Sequence, residues 1–135
     1  MEVIKCWEEK AVDIPAPYSR HIKMMLAPDV RGVPEMTFSH AIIDPGSQTD
    51  YHKHDRPELI MILSGRGIAV CDGKETPIEP DMVLYARTGE MHQIKNTGPE
   101  SIKLATVFVP GYTVQENIGR IMKAAEDARK KGASR

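Results

Sequence analysis

Short apolar or alternating runs recur through the middle of this chain, at Met36–Ile43, Leu59–Leu63, Ile68–Cys71, Met82–Ala86, Met91–Lys95 and Ile102–Val109. Turn-forming residues punctuate them: Asp44-Pro45-Gly46, Ser64-Gly65-Arg66-Gly67, Asp72-Gly73, Glu79-Pro80-Asp81, Thr88-Gly89 and Asn96-Thr97-Gly98-Pro99. Many short strands at this spacing predict an all-β sandwich or barrel. Cys71-Asp72-Gly73-Lys74 is a hairpin turn, since glycine accepts the positive φ that such turns require.

After Pro110-Gly111 the period changes from two to 3.6. Thr113-Val114-Gln115-Glu116 reads as a capping box, in which the hydroxyl caps a free amide and Glu116 reaches back. Val114, Ile118, Ile121, Met122 and Ala125 fall on one face of the helix that follows, with Arg120, Lys123, Glu126, Asp127 and Lys130 mostly elsewhere. This predicts an amphipathic helix lying on the barrel or at a subunit interface, and ending in a frayed Lys-Lys-Gly-Ala-Ser-Arg tail. The expected organisation is a barrel over residues 1–112 and a helix with its tail over 113–135.

Charge narrows the partners. A net charge of -1 over 135 residues argues against nucleic acid, which needs a basic face. No apolar run reaches the length of a membrane span. Met1 to Lys10 mixes charged and apolar residues and lacks the continuous apolar region of a signal peptide, so the expected location is cytoplasmic. Cys6 and Cys71 are too few for a disulfide framework and match no zinc spacing.

The chemistry is concentrated between Gly46 and Gly65. His52 and His54, one residue apart, point to the same side of an extended chain. Glu58 returns after a turn through Asp55, Arg56 and Pro57, and His92 lies in a later short strand. Two imidazoles on one strand, a carboxylate after the turn and a distant third imidazole can converge on one divalent metal. The donor set suits manganese, iron, nickel, cobalt or zinc and contains no thiolate.

The order of these residues resembles the cupin superfamily. Its first motif, G-x5-H-x-H-x3-E-x6-G, is met at Gly46, His52, His54, Glu58 and Gly65. Its second, G-x5-P-x-G-x2-H-x3-N, is met at Gly89, His92 and Asn96, with Asp81 in place of the first glycine and Arg87 in place of the proline. The resemblance covers about Met36 to Val109. It implies a cupin-type jelly-roll β-barrel with a C-terminal amphipathic helix, and one metal per chain held by His52, His54, Glu58 and His92. Such a set leaves two positions open on an octahedral ion and a net charge of +1, which favours water, hydroxide or an anionic oxygen chelator. The implied activities are those of a dioxygenase, decarboxylase, isomerase or lyase on a compact oxygen-rich metabolite. The alternative is a binding or sensing module that captures a small ligand without turnover.

Three further residues are candidates for the reaction. His40, which by alternation shares a face with Phe38 and Ile42, is a candidate hydrogen-bonding partner or acid/base in the pocket. Tyr85 is favoured over Tyr51 as a phenol near the metal, because Tyr51 adjoins His52 and points the other way. Arg87 offers a cation at the barrel mouth to clamp a carboxylate. The resemblance also implies a homodimer, for which Val3–Trp7 offers an edge strand and the helix an apolar stripe.

Overall fold

The computed structural model describes residues 1–133. Among the described residues the strands are β1 (Val12–Ile14), β2 (Arg20–Leu26), β3 (Thr37–Ile43), β4 (Glu58–Ser64), β5 (Gly67–Cys71), β6 (Lys74–Ile78), β7 (Val83–Ala86), β8 (His92–Lys95) and β9 (Ile102–Phe108), followed by helix α1 (Val114–Ala133). They form a six-stranded sheet in the order β1-β2-β3-β9-β4-β7 and a three-stranded sheet in the order β6-β5-β8. The named pairs are all antiparallel. The two sheets do not join into one continuous ladder, and the jelly-roll is held together by its core.

Period-two alternation decides which side chains form that core. In β4, Glu58, Ile60 and Ile62 are buried while Leu59, Met61 and Leu63 are exposed. In β3, Thr37, Ser39, Ala41 and Ile43 are buried, and their neighbours are half-buried. Ile43, Ile62 and Ile102 are 0 % exposed, and each such side chain stabilises the fold by roughly 1.5–3 kcal/mol. Ile78 and Ile94 of the small sheet join them in one cluster.

Several local expectations are met by observed contacts. Asp72 and Gly73 both have positive φ (46° and 83°) between the paired residues Cys71 and Lys74, the geometry that matches the twist of a hairpin. Asp81, where the motif has glycine, also sits at φ 71°; aspartate is among the few residues that visit this region as single residues. At α1, Thr113 Oγ1 accepts from the Glu116 amide (3.1 Å) and a Glu116 carboxylate oxygen accepts from the Thr113 amide (3.3 Å). Ile118, Ile121 and Ala125 enter the core cluster, and Met122 is 37 % exposed. The helix therefore closes one side of the core.

Two expectations are corrected. Val3–Trp7 is not a strand: Cys6–Glu8 forms a 3-10 turn, Trp7 is exposed, and the edge strand is β1. A three-residue β1 paired to β2 occupies that edge instead. The tail expected to fray is helical through Lys130, Lys131, Gly132 and Ala133; Ser134 and Arg135 lie outside the described residues. No described helix is long and apolar enough to cross a membrane.

His21 ties the β1–β2 edge to the β3 exit. Its Nδ1 lies 2.7 Å from Asp13 and its Nε2 3.0 Å from Asp44, whose other oxygen accepts from Ser19. Both contacts are hydrogen bonds together only when both ring nitrogens carry protons, and the Asp13 and Asp44 bonds raise the His21 pKa above its ordinary 6.5. The stabilisation is fully present below the unfolded value of about 6.5 while the carboxylates are ionised. It is lost as pH rises through the raised folded value. We expect the melting-temperature advantage of wild type over His21→Gln to shrink across that window. A titration by NMR placing His21 at or below 6.5 refutes this.

Candidate metal centre

The candidate ligands come from three places in the chain. Glu58 is the first residue of β4 and faces inward. His92 opens β8. His52 and His54 lie in the irregular stretch between β3 and β4, which runs along β8: the amides of His52 and His92 donate to each other's carbonyls (3.1 and 2.8 Å), and Thr49 N donates to Ile94 O (2.9 Å). This pairing sets His52 beside His92.

The turn from His54 to Glu58 is clamped from outside. Arg56 Nη1 donates to the carbonyls of Pro110 (3.1 Å) and Gly111 (2.9 Å), and its guanidinium lies 3.7 Å over the Tyr112 ring. Tyr112 Oη donates to Asp55 at 2.6 Å. The His54 ring packs edge-on against Phe108, with centroids 4.8 Å apart. Asn96, the last motif position, is buried and donates to the carbonyls of Ile43 (3.0 Å) and Glu100 (2.8 Å). Its contacts are those of a tie across the β8–β9 turn.

One potential ligand atom from each of His52, His54, Glu58 and His92 lies within 4.8 Å of the others. Nδ1 of His52 and of His92 each meets a backbone carbonyl, Asp50 O and Glu90 O, at 2.8 Å. With those nitrogens as donors, Nε2 is the ligand atom, and the carbonyls hold the rings in orientation. His54 Nε2 is buried without a hydrogen-bond partner. His92 Nε2 and His54 Nε2 lie 3.0 and 3.7 Å from Glu58 Oε1. Opposed ligands on an ion with bonds of about 2.1 Å stand about 4.2 Å apart, so the cluster fits a transition metal with a small contraction.

Burial, followed by the charge of Arg120, presses His52 down to about 3, and burial alone is the leading cause at His54, also about 3. Both are neutral imidazoles near neutral pH, the form that ligates metals. At His92 burial opposes the charge, but the hydrogen bonds to Glu58 and the Glu90 carbonyl raise it above 6.5. Burial and then the Glu90 carboxylate, 3.2 Å away, push the Cys71 thiol up to about 11.

The cluster lines a cavity of about 60 Å³ between the sheets and α1. At ~10–15 Å³ per water position, that holds roughly four to six waters, or a ligand of a few heavy atoms. The structure does not bring His40, Tyr85 or Arg87 to it. His40 alternates with the cavity-lining Ser39 and Ala41 and so faces outward; burial and then Lys103 and Lys23 lower its pKa. Tyr85 is 54 % exposed opposite the outward Leu59. The Arg87 guanidinium is 76 % exposed, near Glu90 and Tyr85.

The charged side chains that do reach the cavity are Arg20, from β2, and Arg120, from α1, with buried Asp50 bound to both. Alternation carried a signal for two of them. Asp50 shares a face with His52, and Arg20 shares one with Ile22. Nothing local distinguishes Arg120 from the solvated charges beside it.

The comparisons agree with this geometry. A family model described as "Cupin domain" matches residues 39–109. A Thermotoga maritima protein named "Oxalate-binding protein" is 34% identical over 73 residues, 53% of this chain and 60% of that protein's length. An uncharacterized protein of Methanocaldococcus jannaschii is 26% identical over 117 residues, 86% of this chain and 94% of its own. The crystal structure of a "predicted oxalate decarboxylase" from Thermotoga maritima superposes with a TM-score of 0.74 at 25% identity, covering 81% of this chain and 99% of that one.

Proposed function

The chain belongs to the cupin family, and from that premise we propose that it is a small metalloenzyme holding one divalent transition metal per chain through His52, His54, Glu58 and His92. The observation that carries this is the convergence of four buried or half-buried ligand atoms within 4.8 Å, one of them an imidazole nitrogen with no other partner. We read residues 1–112 as the barrel and 113–135 as its helical cover.

Manganese, iron, nickel, cobalt or zinc bound there would supply Lewis-acid or, for the redox-active ions, electron-transfer chemistry to substrate oxygens. The chain's own residues do the rest. The carbonyls of Asp50 and Glu90 orient His52 and His92, while Ile22, Ile43, Leu104 and Ile121 line the cavity and keep it largely apolar. Arg20 and Arg120 make the cavity attractive to anions. The substrate class is therefore a compact, oxygen-rich anion, and oxalate in the names of the Thermotoga maritima relative and solved structure supports an oxyanion of that size.

Elemental analysis of anaerobically purified protein, paired with oxygen consumption against small keto acids, hydroxy acids and diketones, tests this reading. Oxygen-consuming turnover with iron bound indicates a dioxygenase; turnover without oxygen indicates a decarboxylase, isomerase or lyase. A second reading, ligand capture without turnover, draws on the name of the Thermotoga binding protein. It is selected by tight binding with no product. Protein that takes up no metal refutes the proposal.

We also propose a homodimer formed through the outer face of the large sheet. Phe38, Val107, Leu59 and Tyr85 stand opposite one another across four strands, as do His40, Ala105, Met61 and Val83. Leu59, Met61, Val83 and Tyr85 are exposed, and an apolar face this continuous marks an interaction surface. Sedimentation should show a dimer at micromolar concentration that Leu59→Lys/Met61→Lys dissociates. A wild-type monomer overturns the assignment.

A further inference from the structure

Beside the four candidate ligands stands a group of charges, Arg20 and Arg120 on the cavity wall and Asp50 behind them, its Oδ2 3.5 Å from His52 Nδ1. Arg20 and Asp50 are each 5 % exposed. Arg120 Nη1 donates to Asp50 Oδ2 at 2.6 Å, and Arg20 Nη2 lies 3.6 Å from Asp50 Oδ1. Arg20 Nε, Arg120 Nε and Asp50 Oδ1 are buried without hydrogen-bond partners. Two guanidiniums thus share one carboxylate, and both line a cavity whose wall also carries isoleucine, leucine, alanine and phenylalanine beside Ser39, Thr49, Thr106 and Asn117.

A buried positive charge without its own counter-ion is costly, and unused N–H donors add to that cost. Burial pushes Arg20 down only to about 10, so it stays a cation near neutral pH. The guanidinium fork fits a planar carboxylate and is the donor of choice for buried anions. Asp50, itself buried, holds the two forks beside each other.

We propose that Arg20 and Arg120, positioned by Asp50, form a second anion-binding subsite in the cavity, and that the ligand is a compact dianion. One oxyanion end meets the metal and the other meets the guanidiniums. The inference rests on the metal reading above and adds a charge count to it. A divalent ion with Glu58 carries +1, and the two arginines with Asp50 carry +1. For a single ligand to neutralise both ends at once it must be a dianion. Because Arg120 comes from α1, the helix supplies half of the subsite as well as covering the cavity.

The test uses manganese-loaded full-length protein and two pairs of probes of nearly equal size: oxalate with oxamate, and malonate with malonamate. In each pair a carboxylate is replaced by a neutral amide. Dicarboxylates chelate manganese better in any case, so the measured quantity is the dianion-to-monoanion affinity ratio in wild type against Arg120→Gln. That ratio should fall by roughly 10- to 100-fold for at least one pair, the scale of one charged hydrogen bond, in protein that still binds manganese. Circular dichroism checks folding, and Arg120→Lys, which keeps the charge but not the fork, is the second variant and should lose part of the ratio. Folded variants that keep manganese and leave both ratios unchanged overturn the arginine assignment alone. Wild type that binds no manganese overturns the metal reading and this proposal with it.

Discussion

Replacing His52 and His54 together with alanine should strip the divalent metal from a protein that still folds. Both imidazoles are candidate ligands on one short segment, and their loss leaves one imidazole and one carboxylate, too few to hold a transition metal tightly. Removing mere outer partners of metal ligands costs about 10–100-fold in affinity, so losing two ligands should exceed 100-fold. The fold should survive because neither residue belongs to the hydrophobic cluster that joins the sheets, although truncating His54 opens space beside Phe108. Elemental analysis gives the occupancy, and thermal melting gives an independent readout. A ligand at 100 times its Kd stabilises the native state by about 2.7 kcal/mol, so metal should raise the wild-type melting temperature and leave the double variant unmoved. Full metal retention in the folded double variant refutes the ligand set.

Gly65→Ala should destabilise the fold by about 2–5 kcal/mol. Gly65 has φ 84°, where an L side chain costs roughly 1–2 kcal/mol. An added Cβ would also press against the Ser101 carbonyl oxygen and come within 2.8 Å of Ile102 Cα, both backbone atoms that cannot rotate away. Overpacking of that kind adds about 1–3 kcal/mol. Ile102 is 0 % exposed, so any shift is felt in the core. Urea unfolding of Gly65→Ala beside Gly73→Ala is the measurement. Gly73 also has positive φ, but its added Cβ would meet nothing within 4 Å, so it reports strain without the clash. Equal losses in the two variants would show that close approach at Gly65 does not matter.

Much of the architecture was legible along the chain. The six apolar runs correspond to β3, β4, β5, β7, β8 and β9 with ends displaced by a residue or so. The Asp72-Gly73 turn and the Thr113–Glu116 box are made by the atoms their chemistry implies. These features are short-range: period, turn dihedrals and caps depend on neighbours within a few residues. β1, β2 and β6 were not among the runs. The five residues of β6, Lys74 to Ile78, are exposed except for Ile78, so they carry little apolar pattern. Alternation grouped His40 with Phe38 and Ile42 but did not say which side of the sheet the core takes, and packing turns that face away from the cavity.

The charges around the site were not legible. Arg87 follows the end of β7, at the edge of the large sheet, and its side chain turns to solvent. The cavity instead receives Arg20 from β2 and Arg120 from α1, 100 positions apart in the chain and joined through Asp50. The sequence by itself determined the all-β framework, the amphipathic helix after it, and which four residues share the spacing of a metal site, because each of these follows from local periodicity or from a motif read in order. Tertiary structure alone decided that α1 covers the cavity, that two guanidiniums and one carboxylate meet at its wall, and that Tyr85 and Arg87 are left in solvent. Those outcomes depend on which face of each sheet the core buries and where the helix docks, and that is settled by packing between distant segments.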